Sequence, residues 1–224
     1  MRTGAASGIA TKYMARAEAR TAGIVGTGAQ ARTQLEAISH ARKLESIRAF
    51  GRDPARRADF CREMTERLGL PVMPAASAEE AVRGVEIVIT ATNSVNPVVC
   101  GAWLAPGTHL NAVGSNLPQR RELDDDAVAR AAIVAVDSIE QSKMESGELI
   151  HAYAADPSRW NKVVEVAEIV SGKRPGRTSA GEITLFKSNG IATWDIAAAA
   201  RVLERAEKEG LGRRLELGGS QRSA

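Results

Sequence analysis

Thr21-Ala22-Gly23-Ile24-Val25-Gly26-Thr27-Gly28-Ala29-Gln30-Ala31 decides the fold, because a short apolar run ends there in Gly-x-Gly and passes straight into a helical pattern. A strand that stops this way and opens a helix is the arrangement by which doubly wound α/β domains hold a dinucleotide pyrophosphate. Gly26 permits the tight turn, Gly28 leaves no side chain where phosphates approach, and Ala31 is small enough for helix and strand to pack closely. The helix from Ala29, with Gln30 in its first turn, would aim unpaired N–H groups and its positive end at the pyrophosphate.

The flanks extend the pattern. An alanine-rich segment over residues 3–19, with Ile9, Tyr13 and Met14 on a helical period, predicts an opening helix. After the strand at 22–25 come a helix from Ala29 to Lys43 and a strand over Ser46-Ile47-Arg48-Ala49-Phe50. Pro54 opens a helix that runs to Leu68 and is stopped by Gly69 and Pro71. Pro71-Val72-Met73 reads as a third strand, and Ser77 with Glu80 as a capping box for a short helix ending at Gly84. Val85 to Ala91 is apolar enough for a central strand buried on both faces, and Thr108 to Val113 and Ala132 to Val136 add two more. Six short strands separated by helices or irregular crossings predict an α/β fold with a Rossmann-like, doubly wound, mostly parallel sheet and flanking helices.

Beyond Asp137 the pattern changes. Residues 138–147 read as a helix, 171–177 as a polar linker, 183–186 as one more strand, and 191–209 as a long helix with a broad alanine face, closed by Gly210. The expected partition is an opening helix at a domain junction (1–19) and a dinucleotide-binding domain (20–182). A strand and long C-terminal helix (183–210) follow at the domain junction, then a flexible tail (211–224), and the fold is expected to include a remnant of a second domain.

With 224 residues and 44% apolar composition, the chain can bury roughly 70% of its unfolded surface. Thirty basic against 27 acidic residues leave a formal charge of +3 with no basic stripe interleaved with aromatics, which argues against a nucleic-acid partner. No run of 18 apolar residues predicts a membrane span, and the start lacks the apolar core of a secretory leader, so the chain reads as cytoplasmic. Cys61 and Cys100 lack metal-ligand spacing and read as small, at least partly buried residues. His40, His109 and His151 lie far apart without acidic companions, so no metal site is expected, and His109, inside a strand pattern, reads as structural.

The tip of the second strand should distinguish nicotinamide cofactors. A carboxylate there binds the ribose hydroxyls of NAD, whereas an arginine accommodates the extra phosphate of NADP. The chain offers Gly51, Arg52 and Asp53, followed by Arg56 and Arg57. Two readings stand: Arg52, helped by Arg56 or Arg57, pairs with a 2′-phosphate, or the arginines are a solvated helix start. Asp53 reads as the N-cap before Pro54. Thr90-Ala91-Thr92-Asn93-Ser94, at the carboxyl end of the buried strand, either lines the ribose and nicotinamide or is a structural turn. Asn111 through Asn116 puts small polar residues where the nicotinamide half should lie, Glu122 and Asp124 read as acids serving a helix N-terminus, and Lys187 is either a phosphate or carboxylate ligand or a surface lysine.

Six segments in order resemble the ornithine cyclodeaminase and mu-crystallin family: Arg2-Thr3-Gly4-Ala5-Ala6, Gly26-x-Gly28-x-Gln30-Ala31, Thr90-Ala91-Thr92, Asn111-Ala112-Val113-Gly114-Ser115, Arg121-Glu122-Leu123-Asp124 and Leu185-Phe186-Lys187-Ser188-x-Gly190. The likeness runs from Arg2 to about Ala206. It implies a homodimeric, two-domain enzyme that uses NAD(P) on amino acids, imines or 2-oxo acids, as ketimine reductases, alanine dehydrogenases and ornithine cyclodeaminases do. By resemblance, Arg2 and Thr3 contact cofactor and substrate at the domain junction, and Gly28, Ala29 and Gln30 form the pyrophosphate loop. Gly51-Arg52-Asp53 is the ribose selector, and Asn111, Val113 and Lys187 lie near the nicotinamide.

Cyclodeaminases proper carry an aspartate where this chain has Ser115, and a hydroxyl cannot serve as the same general base. The family also has a further third of its chain ahead of the position of Arg2, forming the substrate and dimerisation portion. The expectation is therefore an NAD(P)-dependent oxidoreductase-like protein, NADP(H) favoured over NAD(H), whose intact relatives move a hydride to or from a cyclic imino acid or amino acid. Two alternatives stand beside it. One is a catalytically inactive NADP(H)-binding or partner-binding fragment, and the other an ornithine cyclodeaminase making proline and ammonia. No catalytic residue is assigned.

Overall fold

A computed structural model describes residues 2–213 and 215. The chain opens with α1 (Arg2–Met14), β1 (Thr21–Val25), α2 (Ala29–Ala41), β2 (Ser46–Phe50), α3 (Pro54–Leu68), β3 (Val72–Pro74), α4 (Ala78–Val82), β4 (Ile87–Thr90) and β5 (His109–Ala112). It continues through α5 (Asp125–Arg130), β6 (Ala131–Val136), α6 (Ile139–Glu145), α7 (Gly147–Ala152), β7 (Val163–Glu165), α8 (Val166–Val170), β8 (Ile183–Lys187) and α9 (Ala192–Glu209).

The strands form one sheet in the order β3-β2-β1-β4-β5-β8-β6-β7, and every pairing is parallel. All carboxyl ends therefore lie on one edge. The chain runs outward from β1 to β2 and β3, then returns to place β4 on the other side of β1, so the order reverses between β1 and β4. This is the Rossmann-like, doubly wound sheet expected from the glycine turn. One face buries Ile24, Leu35, Ile38, Ile47, Phe60, Met64, Ile87 and Ile89 against α2 and α3. The other buries Val25, Val88, Leu110, Val128, Val136, Leu149 and Leu185. Each such side chain contributes about 1.5–3 kcal/mol by leaving water.

Three expectations are corrected. The segment 183–186, placed on sequence at the domain junction and outside the dinucleotide-binding domain, is a central strand: β8 is buried along its length and lies between β5 and β6. The short β7 pairs with β6 at the sheet edge and was not expected, because three residues carry no readable alternation. The opening helix stops at Met14, short of residue 19, because guanidinium groups take up its last carbonyls. Arg42 donates to the carbonyls of Lys12 (3.0 Å), Ala15 (2.7 Å) and Arg16 (2.7 Å), and Arg177, from the expected polar linker, donates to that of Met14 (2.8 Å). Small residues hold α1 close to α2: a Cβ on Gly4 would stand 2.2 Å from the Thr33 carbonyl oxygen, and one on Gly8 would stand 3.0 Å from that of Ala37.

His109 is structural, as its strand position implies. Its Nδ1 lies 2.9 Å from the Thr184 hydroxyl, which itself donates to the Met14 carbonyl at 3.1 Å, so the network assigns the ring proton to Nδ1. Complete burial, reinforced by nearby Arg177, holds the imidazole pKa down to about 3 from 6.5. The folded protein thus keeps His109 neutral while the unfolded chain takes up a proton below pH 6.5. Stability from this residue is complete above that pH and is lost as pH falls toward 3. Between pH 6.5 and 5 the loss should be about 2 kcal/mol. Urea unfolding of the wild type and His109→Asn at both pH values checks this; equal losses in the two proteins would contradict it.

The chain divides into two compact units, residues 1–190 and 191–224. In the second, α9 carries an apolar stripe of Ala192, Ile196, Ala199, Leu203 and Ala206, and Ile196 and Leu203 are exposed. Gly210, in the left-handed region at φ 67°, ends the helix. Of the tail expected to be flexible, residue 214 and residues 216–224 lie outside the described residues. Among the described residues no helix is long and apolar enough to cross a membrane.

Candidate functional site

A cleft of about 540 Å³ opens on the carboxyl edge where the strand order reverses. Its floor is the turn Gly26 to Gln30, one wall is the end of β2 with Arg52, Asp53 and Arg56, and the other is the end of β4 from Ala91 to Ser94 with Val98.

The two glycines of the turn are needed for different reasons. Gly26 has φ 111°, and a Cβ there would approach the Ala91 carbonyl oxygen to 2.3 Å, so both conformation and contact demand glycine. Gly28 has ordinary extended geometry, and a Cβ there would meet nothing within 4 Å; it would enter the cleft. Gly28 is also the N-cap of α2 with no side-chain cap, so the first-turn N–H groups are left for a bound group. Glycine at 28 is therefore required by nothing in the protein's own backbone.

Arg32 fixes this turn from behind. It donates to the Gly28 carbonyl (3.1 Å) and through two nitrogens to the Glu63 carboxylate (2.8 and 2.6 Å), with its guanidinium 5.3 Å from the Phe60 ring centre. The hydrogen bonds from Arg32 hold the Glu63 carboxyl below its usual range.

On the β2 side, Asp53 is the N-cap expected from Pro54: its Oδ1 accepts from the N–H groups of Ala55 (2.9 Å) and Arg56 (3.1 Å). Arg57 is turned away, donating to the Gly51 carbonyl at 2.8 Å and lying over Phe50 at 5.5 Å. Arg52 and Arg56 are exposed on the cleft wall.

On the β4 side the wall is built on Glu122, which is wholly buried. Its Oε1 accepts from the Thr92 N–H (2.6 Å) and hydroxyl (2.7 Å), and its Oε2 from the Thr90 hydroxyl (2.8 Å) and the Gly114 N–H (2.7 Å). Burial pushes the carboxyl above its usual range, against the opposing pull of Lys187 and of these donors. The Glu122 N–H donates to Glu148 Oε1 at 2.8 Å, and Lys187 Nζ lies 3.4 Å from Glu148 Oε2 and donates to the Ser115 carbonyl. One expectation fails here, and of the two readings of Lys187 one is excluded. Glu122 does not serve a helix N-terminus, since Asp124 alone caps α5 through the Ala127 N–H at 2.8 Å. Lys187 is not a surface lysine: β8 carries it into the buried edge, where only paired charge is tolerated.

Of the residues expected to bind cofactor, Gly26, Gly28, Ala29, Gln30, Arg52, Ala91 and Thr92 line the cleft, and Arg2, Thr3, Thr90, Asn111, Val113 and Lys187 do not. Thr90 and Lys187 belong to the buried network behind the wall. Asn111 lies beneath α1, donating to the Thr11 hydroxyl at 3.0 Å, and the Val113 N–H donates to the Thr90 carbonyl at 3.0 Å. Arg2 lies beside Gly190, and Thr3 is half-buried in the first turn of α1. Sequence reasoning missed Arg32 and Glu148 and misassigned Glu122. An acid within Arg121-Glu122-Leu123-Asp124 gave no signal separating a buried acceptor from a cap.

The fold places the chain in the class of parallel, Rossmann-type α/β proteins, with its cleft at the switch point where such sheets bind ligands. The chain belongs to the ornithine cyclodeaminase/mu-crystallin family, whose model matches residues 1–210. Delta(1)-pyrroline-2-carboxylate reductase of Bacillus cereus is 39% identical over 217 residues, covering 96% of this chain and 66% of that protein. Among solved structures, Thermococcus litoralis Delta(1)-pyrroline-2-carboxylate reductase in complex with NADH and L-proline superposes with a TM-score of 0.91 at 40% identity, covering 96% of this chain and 66% of that one. Iminosuccinate reductase of Paracoccus denitrificans in complex with NAD+ gives a TM-score of 0.87 at 31% identity, with 96% and 66% covered. The chain thus spans 66% of the length of these relatives.

Proposed function

We propose that the cleft binds a nicotinamide dinucleotide and that this chain is the cofactor-binding part of an oxidoreductase acting on a cyclic imino acid or the corresponding amino acid. The observation that carries this is Gly28, whose absent Cβ leaves open room beside the unpaired N–H groups of the α2 N-terminus. When bound, the cofactor supplies or accepts a hydride. The chain's own residues seat the pyrophosphate over Gly26 to Gln30, leave the adenosine ribose to the Arg52 side, and place the nicotinamide half toward Ala91 and Thr92. The substrate class rests on the relatives, among which a reductase holds NADH and L-proline. Ser115 favours reduction over cyclodeamination: its hydroxyl is buried and donates to the Arg120 carbonyl at 2.7 Å, so no general base stands there.

Titration of the purified chain with NADH and NADPH, followed by a spectrophotometric assay with Δ1-pyrroline-2-carboxylate, tests the reading. Saturable binding with cofactor oxidation is expected, and binding of neither dinucleotide would refute it. Binding without turnover would favour an inactive cofactor-binding chain, and release of ammonia from ornithine would favour cyclodeamination.

Within this reading NADPH is the preferred form. Asp53 is engaged as a helix cap, and Arg52 and Arg56 stand on the β2-side wall without an ion pair to any of the described residues. NADPH should bind about tenfold more tightly than NADH, and Arg52→Ala with Arg56→Ala should erase the difference. Calorimetry on both proteins checks this; tighter NADH binding by the wild type would assign the arginines to the solvated surface.

A further inference from the structure

Glu122 is an unusual way to build a core. Burying a carboxylate is costly, and an apolar side chain would fill the space with less penalty. Yet none of its four side-chain donors comes from the apolar core. They come from the last residue of β4 and from the loops after β4 and β5: the Thr90 hydroxyl, the Thr92 hydroxyl and N–H, and the Gly114 N–H, all at 2.6–2.8 Å. Each carboxylate oxygen takes one backbone N–H and one hydroxyl. The loops are also pressed together, because a Cβ on Gly114 would stand 2.3 Å from Thr92 N. The backbone carbonyl of Glu122 accepts from Val98 (2.8 Å) and Val99 (3.0 Å), tying Val98, the remaining lining residue on that side, to the same point. The Glu122 side chain thus ties Thr92 of the β4-side wall to Thr90 and Gly114 behind it, its backbone carbonyl holds Val98, and among the described residues no hydrogen bond joins it to the β2-side wall.

We propose that Glu122 is a positioning residue for the nicotinamide half of the cofactor: by locking the loop ends of β4 and β5 together it preforms the wall against which that half is seated. The proposal rests on the reading that the cleft takes a nicotinamide dinucleotide. It assigns Glu122 no contact with cofactor or substrate.

The consequence is a split between the two halves of the ligand. ADP reaches the Gly26–Gln30 turn and the β2 wall only, whereas NADH also needs the β4 wall. Both lack a 2′-phosphate, so the outcome does not depend on the arginines. In Glu122→Gln one side-chain oxygen becomes an NH2 that faces donors, which should splay the loop ends. Calorimetry on the full chain, well below the variant's Tm, should show NADH binding weakened about tenfold and ADP binding unchanged within about twofold. Equal weakening of both ligands, or no change in either, would overturn the proposal. Failure of the wild type to bind NADH would instead overturn the cleft reading itself. Should Glu122→Gln not fold, Thr90→Val is the second variant. It removes one of the four donors from a residue outside the cleft, and about threefold weaker NADH binding with unchanged ADP binding is expected. Unchanged NADH affinity in that variant would count against the role.

Discussion

Gly28→Asp should abolish dinucleotide binding while leaving the fold intact or slightly more stable. The two effects separate on the proposed reading, because nothing in the chain itself requires glycine at position 28. Its backbone is at φ −83° and ψ −171°, open to any residue, and a Cβ would meet nothing within 4 Å. An aspartate there is a better N-cap than glycine by a few tenths of a kcal/mol, and its charge at the helix N-terminus adds about 0.3–1 kcal/mol. The same carboxylate would sit against the pyrophosphate. At about 4 Å and an effective dielectric constant near 20 the repulsion is about 4 kcal/mol, so NADH and NADPH should bind at least about 100-fold more weakly. Thermal unfolding by circular dichroism together with cofactor titration measures both quantities. A variant that binds as tightly as the wild type would remove the pyrophosphate from this turn. One that unfolds much earlier would show that the glycine serves the chain after all.

Lys187→Met should cost about 3–5 kcal/mol of stability, the usual effect of leaving a buried charge without its counterion. Lys187 and Glu148 are both fully buried, and the ammonium lies 3.4 Å from Glu148 Oε2, an oxygen with no hydrogen-bond partner of its own. Removing the lysine strands that charge and also leaves the Ser115 carbonyl without its donor. The double variant Lys187→Met with Glu148→Gln should regain part of the loss. Glutamine carries no charge, and its carbonyl can still accept from the Glu122 N–H, as Glu148 Oε1 does at 2.8 Å. Urea unfolding of the wild type, the single variants and the double variant gives the coupling directly. Additive losses would show that the two residues do not act as an ion pair.

These two sites differ in how far the sequence reveals them. The glycine turn that holds Gly28 is readable because it is a local object: strand end, glycine spacing and helix start lie within eleven consecutive residues. Asp53 was readable for the same reason, as an N-cap immediately before a proline. The sequence does not decide Lys187 between ligand and surface, since nothing beside it in the chain announces Glu148 or the Ser115 carbonyl. Glu122 was misread because its donors stand at positions 90, 92 and 114, while its neighbours suggested a helix start. The opening helix was drawn too long because Arg42 and Arg177, which take its final carbonyls, are distant in sequence.

By itself the sequence determined the α/β class, the glycine turn between β1 and α2, the caps and the arginines beside the end of β2, all features set by periodicity or by residues a few positions apart. Only the tertiary structure decided that β8 enters the sheet between β5 and β6, bringing Lys187 to Glu148, and that Glu122 joins the loop ends behind one wall of the cleft. Strand insertion and buried charge pairing join residues tens of positions apart. What fixes them is the cost of leaving an apolar strand or an unpaired charge outside its place in the fold, and that cost depends on neighbours the local sequence does not name.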